Sequence, residues 1–476
     1  MSYAHLFRIL VPAAPLHRRT DRDTFPTVEF ALRVDATNFL REAAIQPGLQ
    51  QPHLISSYAG SLDVLLFAFP QYAVTDPVYS AAYQSLIQEL RVGTKFVIVH
   101  HEAQKAAIEA WFSNAGHQTT SITWAPLPDF TSFTDWAEDG YVALEDAADG
   151  SRYLMEPWEF PRGGDALIAD SVEEFANINA SQSPLIFQGG NCLIGDDFWL
   201  LGKDYFADSV QLTQRNRPPV TVPAGTTPEA FVRQLFSEYV DASRDLRLVG
   251  TTHAIPIRPF YGTHETNNYF LDIAADGAGT FQPIFHIDMF ITLIGRDASN
   301  NFEVLVGSPS LADQLLGTTS PYSLNSVYDS IATQLTGFGL TVHRNPLVHR
   351  PTLGRTFTVS RLQQLASQPP GNVELLTAVN ELVAAGASDN TVVTVRSWHH
   401  VTWNNCLVEN SATQGKHVYL PTFGHNANAD LQPIDNHMKT LWEGFGFTAH
   451  MLGDFNEFAR RQGVVHCIKK YLDRGD

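Results

Sequence analysis

The chain has 476 residues and a formal net charge of −19, because 50 Asp and Glu outnumber 31 Lys and Arg. Hydrophobic residues make up 44% and charged residues 17%, a profile that indicates a folded globular protein and excludes a disordered or fibrous chain. The acidic balance, with no basic stripe, argues against a nucleic-acid partner and is compatible with a cationic ligand.

The cysteines and the hydropathy pattern bear on where the protein works. Three cysteines, Cys192, Cys406 and Cys467, are too few for a disulfide framework and predict reduced thiols in a cytoplasmic setting. A short apolar patch near the N-terminus is broken by Pro12 and Pro15, which is not the pattern of a signal peptide. No apolar run approaches the roughly 18 residues that span a bilayer, so no membrane partner is expected.

Strands and helices are predicted in alternation from about residue 64 onward. Residues 1–90 are interpreted as an N-terminal segment, packed on the main domain or part of it, with a strand at Val64–Phe69 and a helix at Pro77–Leu90. The main domain, residues 91–476, is predicted to open with the strand Lys95–His100, a helix over Glu102–Asn114 and the strand Ser121–Pro126.

One order of elements, a hairpin followed by a helix and a strand, recurs along the main domain. Its three clearest copies are Cys192–Ile194, Phe198–Gly202, a helix from Thr227 to about Tyr239 and Leu246–Gly250; Phe285–Gly295, Phe302–Gly307, a helix over Ser323–Thr336 and Gly339–His343; and Asn405–Glu409, His417–Leu420, a helix over Ile434–Glu443 and Thr448–Leu452. Strands followed by helices predict an α/β fold. Units facing a common centre would make a propeller-like ring, but an open mixed sheet fits the same pattern.

Three long stretches between these elements are predicted as loops. They are Glu145–Ser183, Tyr205–Thr226 and Arg258–Pro283. Loops of this length are often lids or binding loops, and surface decoration is the equally open alternative.

The tripeptide His286-Ile287-Asp288 lies within a predicted strand. Side chains two residues apart on a strand project to the same face, so the imidazole and the carboxylate are expected to project together. The pair is then either a satisfied structural contact or part of a site, because a buried carboxylate is costly without a partner.

A run of acidic residues surrounds a tryptophan at Thr134–Gly140, just before the predicted strand Tyr141–Leu144. A solvated acidic turn is one interpretation of this run. The other is a carboxylate, Asp139, held beside the aromatic wall of Trp136, a combination that binds a planar cation with an apolar stem.

Cys467 follows His466 directly in the segment Gly463–Ile468. Free cysteines are usually small buried hydrophobes, as expected for Cys192 and Cys406 within apolar strands. A reactive cysteine needs nearby positive charge or other stabilisation of the thiolate, and basic residues follow Cys467 closely in sequence. Cys467 is therefore either a nucleophile or a structural thiol.

Taken in chain order, Trp136-x-x-Asp139, Gly189-Gly190-Asn191, His286-x-Asp288 and Val465-His466-Cys467 resemble the pentein superfamily of guanidino-group-modifying enzymes. The resemblance covers roughly residues 95–476 and is closest to the protein-arginine deiminases. It implies a pentein fold, an α/β propeller of pseudo-fivefold ββαβ units. Residues 1–90 do not resemble the calcium-binding N-terminal domains of the vertebrate deiminases, so calcium dependence gains no support, and the implied mechanism requires no cofactor.

The resemblance also implies a role for each matching residue. Cys467 is implied to be the nucleophile and His286 the general acid and base. Asp139 and Asp288 are implied to bind the substrate guanidinium, with Trp136 lining the aliphatic stem of the substrate. Arg162 is a candidate for binding a substrate carboxylate or peptide carbonyl, with an exposed loop arginine as the alternative.

The expected activity is deimination of a cationic guanidino substrate, most like conversion of arginine residues of proteins or peptides to citrulline and ammonia. Three alternatives remain open on the sequence: an amidinotransferase of the same fold, a deiminase of free arginine or agmatine, and a non-catalytic binding protein. The sequence does not decide the oligomeric state.

Overall fold

The computed structural model describes residues 48–160, 162, 164–251, 282–320, 324–351, 355–368, 373–395 and 398–475, with the backbone of four short strands between residues 256 and 274. The apolar patch predicted near the N-terminus lies outside the described residues, as do most side chains of the predicted loop Arg258–Pro283. The division of the chain at residue 90 stays a prediction, although residues 61–69 supply a strand to a sheet of the main domain.

The described part of the chain is built on many short strands. In chain order they are β1 (Pro52–Leu54), β2 (Ser61–Phe69), β3 (Lys95–His101), β4 (Ile122–Leu127), β5 (Val142–Asp146), β6 (Ser151–Glu156), β7 (Asn179–Gln182), β8 (Cys192–Ile194), β9 (Phe198–Gly202), β10 (Asp245–Val249), β11 (Pro256–Ile257), β12 (Phe260–His264), β13 (Asn267–Phe270), β14 (Ile273–Ala274), β15 (Ile291–Arg296), β16 (Phe302–Ser308), β17 (Thr341–Pro351), β18 (Arg355–Thr358), β19 (Val392–Val395), β20 (Trp398–Thr402), β21 (Leu407–Ser411), β22 (Gly415–Thr422), β23 (Thr448–Asp454) and β24 (Lys469–Gly475).

Helices connect the strands and pack on their sheets. They are α1 (Gln71–Thr75), α2 (Pro77–Glu89), α3 (Lys105–Asn114), α4 (Leu167–Ala176), α5 (Lys203–Thr213), α6 (Pro228–Tyr239), α7 (Pro309–Leu316), α8 (Asn325–Gly337), α9 (Val359–Ser367), α10 (Val373–Ala384), α11 (Gln432–Gly444) and α12 (Asn456–Arg460). The start of α6 follows the sequence signal, since Thr227 caps it by accepting the N–H of Ala230 and Pro228 occupies the first turn. Among the described residues, no helix is long and apolar enough to cross a membrane.

Five sheets of the described chain share one ββαβ pattern, in which an antiparallel strand pair is followed by a helix and a parallel strand. In four of these sheets the three strands of the unit follow one another along the chain: β5-β6-β7, β8-β9-β10, β15-β16-β17 and β21-β22-β23. The mixed α/β class predicted from the sequence is therefore confirmed.

The fifth ββαβ unit joins the two ends of the described chain. Strand β2 pairs antiparallel with β24 and parallel with β3, which in turn pairs parallel with β4. Strand β24 thus takes the place of the first strand in this unit. Its pairing with β2 also fixes the position of the residues that directly precede it. Cys467 lies two residues before this strand begins.

Several sequence predictions about secondary structure are wrong. The segment Tyr205–Thr226 was predicted as a loop, but α5 extends through it to Thr213, and the predicted loop Arg258–Pro283 contains β12, β13 and β14. The segment Glu145–Ser183 was predicted as a loop, but it contains β6, α4 and β7 and completes a ββαβ unit. The segment that holds His286 and Asp288 was predicted as a strand, but a 3-10 turn occupies Ile287–Met289 and β15 begins only at Ile291. A run of apolar residues fits both a strand and a turn that leads into one, because the spacing of apolar residues alone does not distinguish the two.

Candidate active site

The candidate site is assembled from equivalent positions in the five ββαβ units. Five residues of the site lie one to three positions before the first strand of a unit: Asp139 before β5, Asn191 before β8, Asp288 before β15, Asn405 before β21 and Cys467 before β24. His286 lies five positions before β15. Each unit thus contributes a residue from just before its first strand, and residues far apart in sequence meet in the site.

The four side chains to which the resemblance assigns the chemistry are deeply buried. Asp139, His286 and Cys467 are 0% exposed and Asp288 is 2% exposed. The Sγ of Cys467 lies 3.9 Å from Oδ2 of Asp288, and Nδ1 of His286 lies 3.6 Å from Oδ1 of Asp139. The site is thus a closed cluster of a thiol, an imidazole and two carboxylates.

The backbone of Gly190 lies between the imidazole of His286 and the carboxylate of Asp288. A Cβ atom at this position would lie 2.6 Å from Nδ1 of His286 and 3.1 Å from Oδ2 of Asp288. Both distances are shorter than ordinary van der Waals contact, so the backbone can pass between the two groups only without a side chain. The Gly-Gly-Asn motif seen in the sequence therefore forms one wall of the site, in the 3-10 turn Gly189–Asn191.

The hydrogen bonding of His286 identifies the nitrogen that can exchange a proton. Its Nε2 lies 2.7 Å from Oε1 of Gln188, a buried side chain. An amide oxygen only accepts, so Nε2 carries a hydrogen and donates it. Nδ1, the nitrogen beside Asp139, is then the atom that gains or loses the proton.

Asp288 is held on one oxygen and available on the other. His466 donates from Nδ1 to Oδ2 of Asp288 at 2.8 Å, whereas Oδ1 has no hydrogen-bond partner within the described part of the chain. Burial, with the nearby Glu138 and Asp139 carboxylates, raises the pKa of Asp288 well above its usual value. A buried carboxylate oxygen of this kind is suited to accept an N–H from a cationic ligand.

The surroundings of Cys467 favour the neutral thiol when no ligand is bound. Burial, followed by the Asp288 and Asp139 carboxylates, raises the pKa of this thiol well above its usual value. A cation placed between the two carboxylates would offset both effects at once, because it neutralises the charges that oppose the thiolate.

Arg162 occupies a position that the sequence interpretation did not anticipate. Its Nη2 donates to Oδ2 of Asp139 at 2.8 Å, and its Nε donates to Oδ2 of Asp165 at 2.6 Å. Its side chain is 10% exposed, so it is not an exposed loop arginine. A guanidinium of the protein itself therefore rests on the carboxylate that the resemblance assigns to the guanidinium of the substrate.

Trp136 lies in the core, 1% exposed. Its ring is 4.8 Å from the guanidinium carbon of Arg461 and meets the ring of Phe458 edge-on. A Cβ on Gly463 would lie 2.3 Å from the indole, so the tryptophan packs tightly against the segment that leads to Cys467. This placement favours a structural role for Trp136, and its contact with the stem of a substrate stays a prediction.

Several residues that sequence analysis did not assign support the cluster. They are Gln188 on His286, His466 on Asp288, Asn405 on Cys467, and Glu138, which accepts from both Lys469 at 2.9 Å and Lys470 at 2.8 Å. Their position in the sequence could have indicated them, since each of them lies beside a motif residue or at the start of a unit. The parts of the chain that the structure describes contain no group of three or more His, Cys, Asp or Glu side chains that could hold a metal ion.

Comparison with known proteins bears on the fold. A crystal structure provisionally assigned as an agmatine deiminase matches 90% of this chain and 98% of its own, with a TM-score of 0.51 and 14% sequence identity. A crystal structure provisionally assigned as a peptidyl-arginine deiminase matches 90% of this chain and 100% of its own, with a TM-score of 0.49 and 11% identity. The agmatine deiminase of C. jejuni matches 88% and 96%, with a TM-score of 0.46 and 10% identity.

No family model and no curated protein matches the sequence of the chain. The first structural likeness spans nearly the full length of both chains and shows a common mixed α/β fold. This likeness agrees with the predicted mixed α/β fold, and the resemblance to the pentein superfamily stays an interpretation of the sequence motifs.

Proposed function

We propose that the protein hydrolyses a guanidino group through a covalent intermediate on Cys467. The observation that carries this proposal is the convergence of Cys467, His286, Asp139 and Asp288 from distant segments into one buried cluster. The sequence alone selected these four residues, and their chemistry is complementary to a planar cation that presents N–H groups and an electrophilic carbon.

Binding is the first step of the proposed reaction. Asp139 and Asp288 accept N–H groups of the guanidinium, which keeps the group charged and its central carbon electrophilic. The positive charge of the substrate lies beside Cys467 and offsets the two carboxylates that disfavour the thiolate. The thiol proton passes to Nδ1 of His286, so the nucleophile and the general acid form together.

Covalent chemistry follows in two halves. The Cys467 sulfur forms a bond to the guanidinium carbon, and the imidazolium of His286 returns its proton to a nitrogen that leaves as ammonia, with cleavage of a C–N bond. A thiouronium group remains attached to Cys467. Water then loses a proton to His286 and adds to the same carbon, and cleavage of the C–S bond releases a ureido product and the cysteine.

The architecture and the setting of the protein are part of the proposal. We propose that the five ββαβ units surround the site as a propeller, because each unit contributes from the same position. No step above requires a metal or an organic cofactor, and a cytoplasmic location fits a mechanism that needs a reduced cysteine.

The substrate we propose first is the arginine side chain of a protein or peptide, as the sequence resemblance implies. Free arginine or agmatine is the second candidate, and the closure of the site favours it. All four reactive side chains are at most 2% exposed, so an extended peptide requires a larger opening than a small molecule.

The test is release of ammonia, with detection of the ureido product, from an arginine-containing peptide, free arginine and agmatine, each with and without calcium. The protein is compared with Cys467→Ala and with Cys192→Ala, which removes another buried thiol. We expect turnover that Cys467→Ala abolishes and Cys192→Ala retains. Turnover that survives Cys467→Ala would disprove the proposed mechanism.

The acceptor of the amidino group is tested in the same assay. If no substrate yields ammonia, glycine is added as an amine acceptor and transfer of the amidino group is followed by mass spectrometry. Transfer that depends on Cys467 would replace hydrolysis by amidino transfer. The absence of both reactions, with intact folding, would favour a binding protein.

A further inference from the structure

Asn405 is a fully buried amide in the connection between β20 and β21. It lies two residues before the first strand of its unit, as Cys467 does before β24. The repeat therefore brings this side chain into the site, although 62 residues separate it from Cys467 in sequence.

The side-chain oxygen of Asn405 holds the turn that presents the thiol. Oδ1 accepts backbone N–H groups from Val464 at 3.1 Å, His466 at 2.9 Å and Cys467 at 3.3 Å. Three donors from the four-residue segment Val464–Cys467 converge on a single atom. The backbone before β24 is thereby fixed by a residue from another unit.

The side-chain nitrogen of Asn405 faces the reacting atom. Nδ2 donates to Sγ of Cys467 at 3.2 Å. The orientation of the amide follows from its partners, because backbone N–H groups can only donate and the oxygen must therefore face them. The NH₂ group is left facing the sulfur, and a sulfur accepts this bond far better as a thiolate than as a thiol.

The charges around Cys467 make this donor important. The nearest carboxylates, Asp288 and Asp139, both oppose the thiolate, whereas hydrogen bonds from the Val464 backbone and from Asn405 lower the pKa of the thiol. Asn405 also lowers the pKa of Asp288 by hydrogen bonding, so its amide lies where both groups carry negative charge during the reaction.

We propose that Asn405 is a further catalytic residue, which stabilises the Cys467 thiolate through its Nδ2–H and fixes the nucleophile through its Oδ1. This inference rests on the proposed function for its role in turnover. Its effect on the thiol is measurable without any substrate, so the two proposals fail separately.

The test is alkylation of the free protein by iodoacetamide between pH 6 and pH 10, with Cys467 followed by mass spectrometry of its peptide. In this reaction the thiolate sulfur bonds to the CH₂ carbon, iodide leaves with the bonding pair, and the thiol proton is released to solvent. Asn405→Asp keeps an oxygen for the three backbone donors and removes the N–H donor, but it also adds a carboxylate beside the sulfur. The uncharged variant Asn405→Ser is therefore measured with it. Asn404→Ala is the matched control, because Asn404 is the neighbouring buried amide and contacts Asn345 and Thr292.

We expect Asn405→Asp to slow alkylation of Cys467 at pH 8 by about tenfold or more, the effect of one unit in the pKa of the thiol. Asn404→Ala is expected to stay within about twofold of the parent protein. A purely structural role of Asn405 predicts the opposite sign, because a loosened turn would expose the buried sulfur and speed alkylation at every pH. Asn405→Ser adds no charge and is expected to slow alkylation in the same direction, and a faster or unchanged rate in Asn405→Ser would overturn the inference.

Discussion

The guanidinium of Arg162 donates to the carboxylate of Asp139 at 2.8 Å, within a site proposed to bind a guanidinium. Asp165 holds the same side chain through a second bond at 2.6 Å. Asp165 is itself fixed, since it accepts from the backbone N–H of Thr134 at 2.6 Å and from its hydroxyl at 2.7 Å. Arg162 therefore occupies an oxygen of Asp139, one of the two carboxylates proposed to bind the guanidinium of the substrate.

Substitution of Arg162 by Gln is expected to strengthen the binding of guanidino compounds. The substrate must compete with Arg162 for Asp139, and removal of the competitor lowers the cost of binding. We expect the KM for the best substrate to fall by about tenfold, the equivalent of one charge-assisted hydrogen bond of about 1.4 kcal/mol. The measurement is steady-state kinetics, supported by the thermal shift that free guanidinium ion induces in each variant.

Arg152→Gln is the control for the Arg162 variant, because Arg152 pairs with Asp473 in a half-exposed contact at 2.7 Å. It is expected to leave the KM unchanged. A rise in KM in Arg162→Gln would instead support the interpretation made from the sequence, that Arg162 binds a group of the substrate.

Gly190→Ala tests how closely the backbone must approach the reacting groups. The added methyl would lie 2.6 Å from Nδ1 of His286, so the imidazole or the turn must shift. A displacement of about 1 Å in a catalytic group can cost about a hundredfold in rate, and we expect a loss of that order in kcat. Gly337→Ala, at the end of α8 with no atom within 4 Å of the added methyl, serves as the control and should retain full activity. Equal activity of the two variants would show that His286 and Asp288 tolerate displacement.

Glu138 is expected to be the main stabilising charge beneath the site. It is 4% exposed and accepts from the ammonium groups of both Lys469 and Lys470. Glu138→Gln leaves two buried ammonium groups without a charged partner, and we expect a loss of about 3–5 kcal/mol in the free energy of unfolding at pH 7. The control Glu159→Gln removes an exposed ion pair with Arg215 and should cost less than about 1 kcal/mol.

The loss caused by Glu138→Gln should depend on pH. Burial lowers the pKa of Lys469 to about 8 from 10.5, so between these values the unfolded chain binds more protons than the folded one. Stability from this group therefore rises with pH over that window. Urea unfolding at pH 7 and pH 9 is expected to show a smaller penalty for the variant at pH 9, and a penalty that grows with pH would contradict this assignment.

The repeated unit and the four residues of the candidate site were predicted from the sequence for different reasons. The hairpins were recognisable because β8 and β9, and later β21 and β22, are apolar strands separated by short polar turns. Cys467 and Asp288 were found by their order along the chain, not by any local pattern. The argument that placed His286 and Asp288 on one face of a strand was wrong, because Asp288 lies in a 3-10 turn that begins directly after His286.

The supporting residues were not predictable from local sequence. Asn405 looks like an ordinary polar residue at the start of a hairpin, and only the pairing of β24 with β2 brings Cys467 to it. Arg162 was predicted to contact the substrate, but the short distance to Asp139 depends on the fold of Glu145–Ser183, which was interpreted as a loop. Tertiary contacts between units determine these positions, and neither the spacing of apolar residues nor the order of motifs predicts such contacts.

His399 should make the protein sensitive to mild acid. It is 8% exposed on β20, and burial, with Arg460 and Arg350 nearby, lowers its pKa to about 4 from the usual 6.5. Between these two values the unfolded chain binds a proton that the folded chain does not. The stability that His399 provides is therefore complete above pH 6.5 and is lost as the pH falls toward 4, by roughly 3 kcal/mol in total.

The variant His399→Gln removes this proton uptake, so its unfolding free energy should fall less than that of the parent protein between pH 7 and pH 4.5. Urea unfolding at the two pH values gives the difference directly, and the general protonation of carboxylates cancels in the comparison. His343→Gln is the control, because His343 is a half-exposed histidine paired with Glu303 at 2.8 Å and should leave most of the acid-induced loss in place. If the acid-induced loss is the same in His399→Gln and in the parent protein, the imidazole of His399 is not the acid-sensitive group. Other groups must then account for the effect, among them the buried His466, whose pKa burial also lowers.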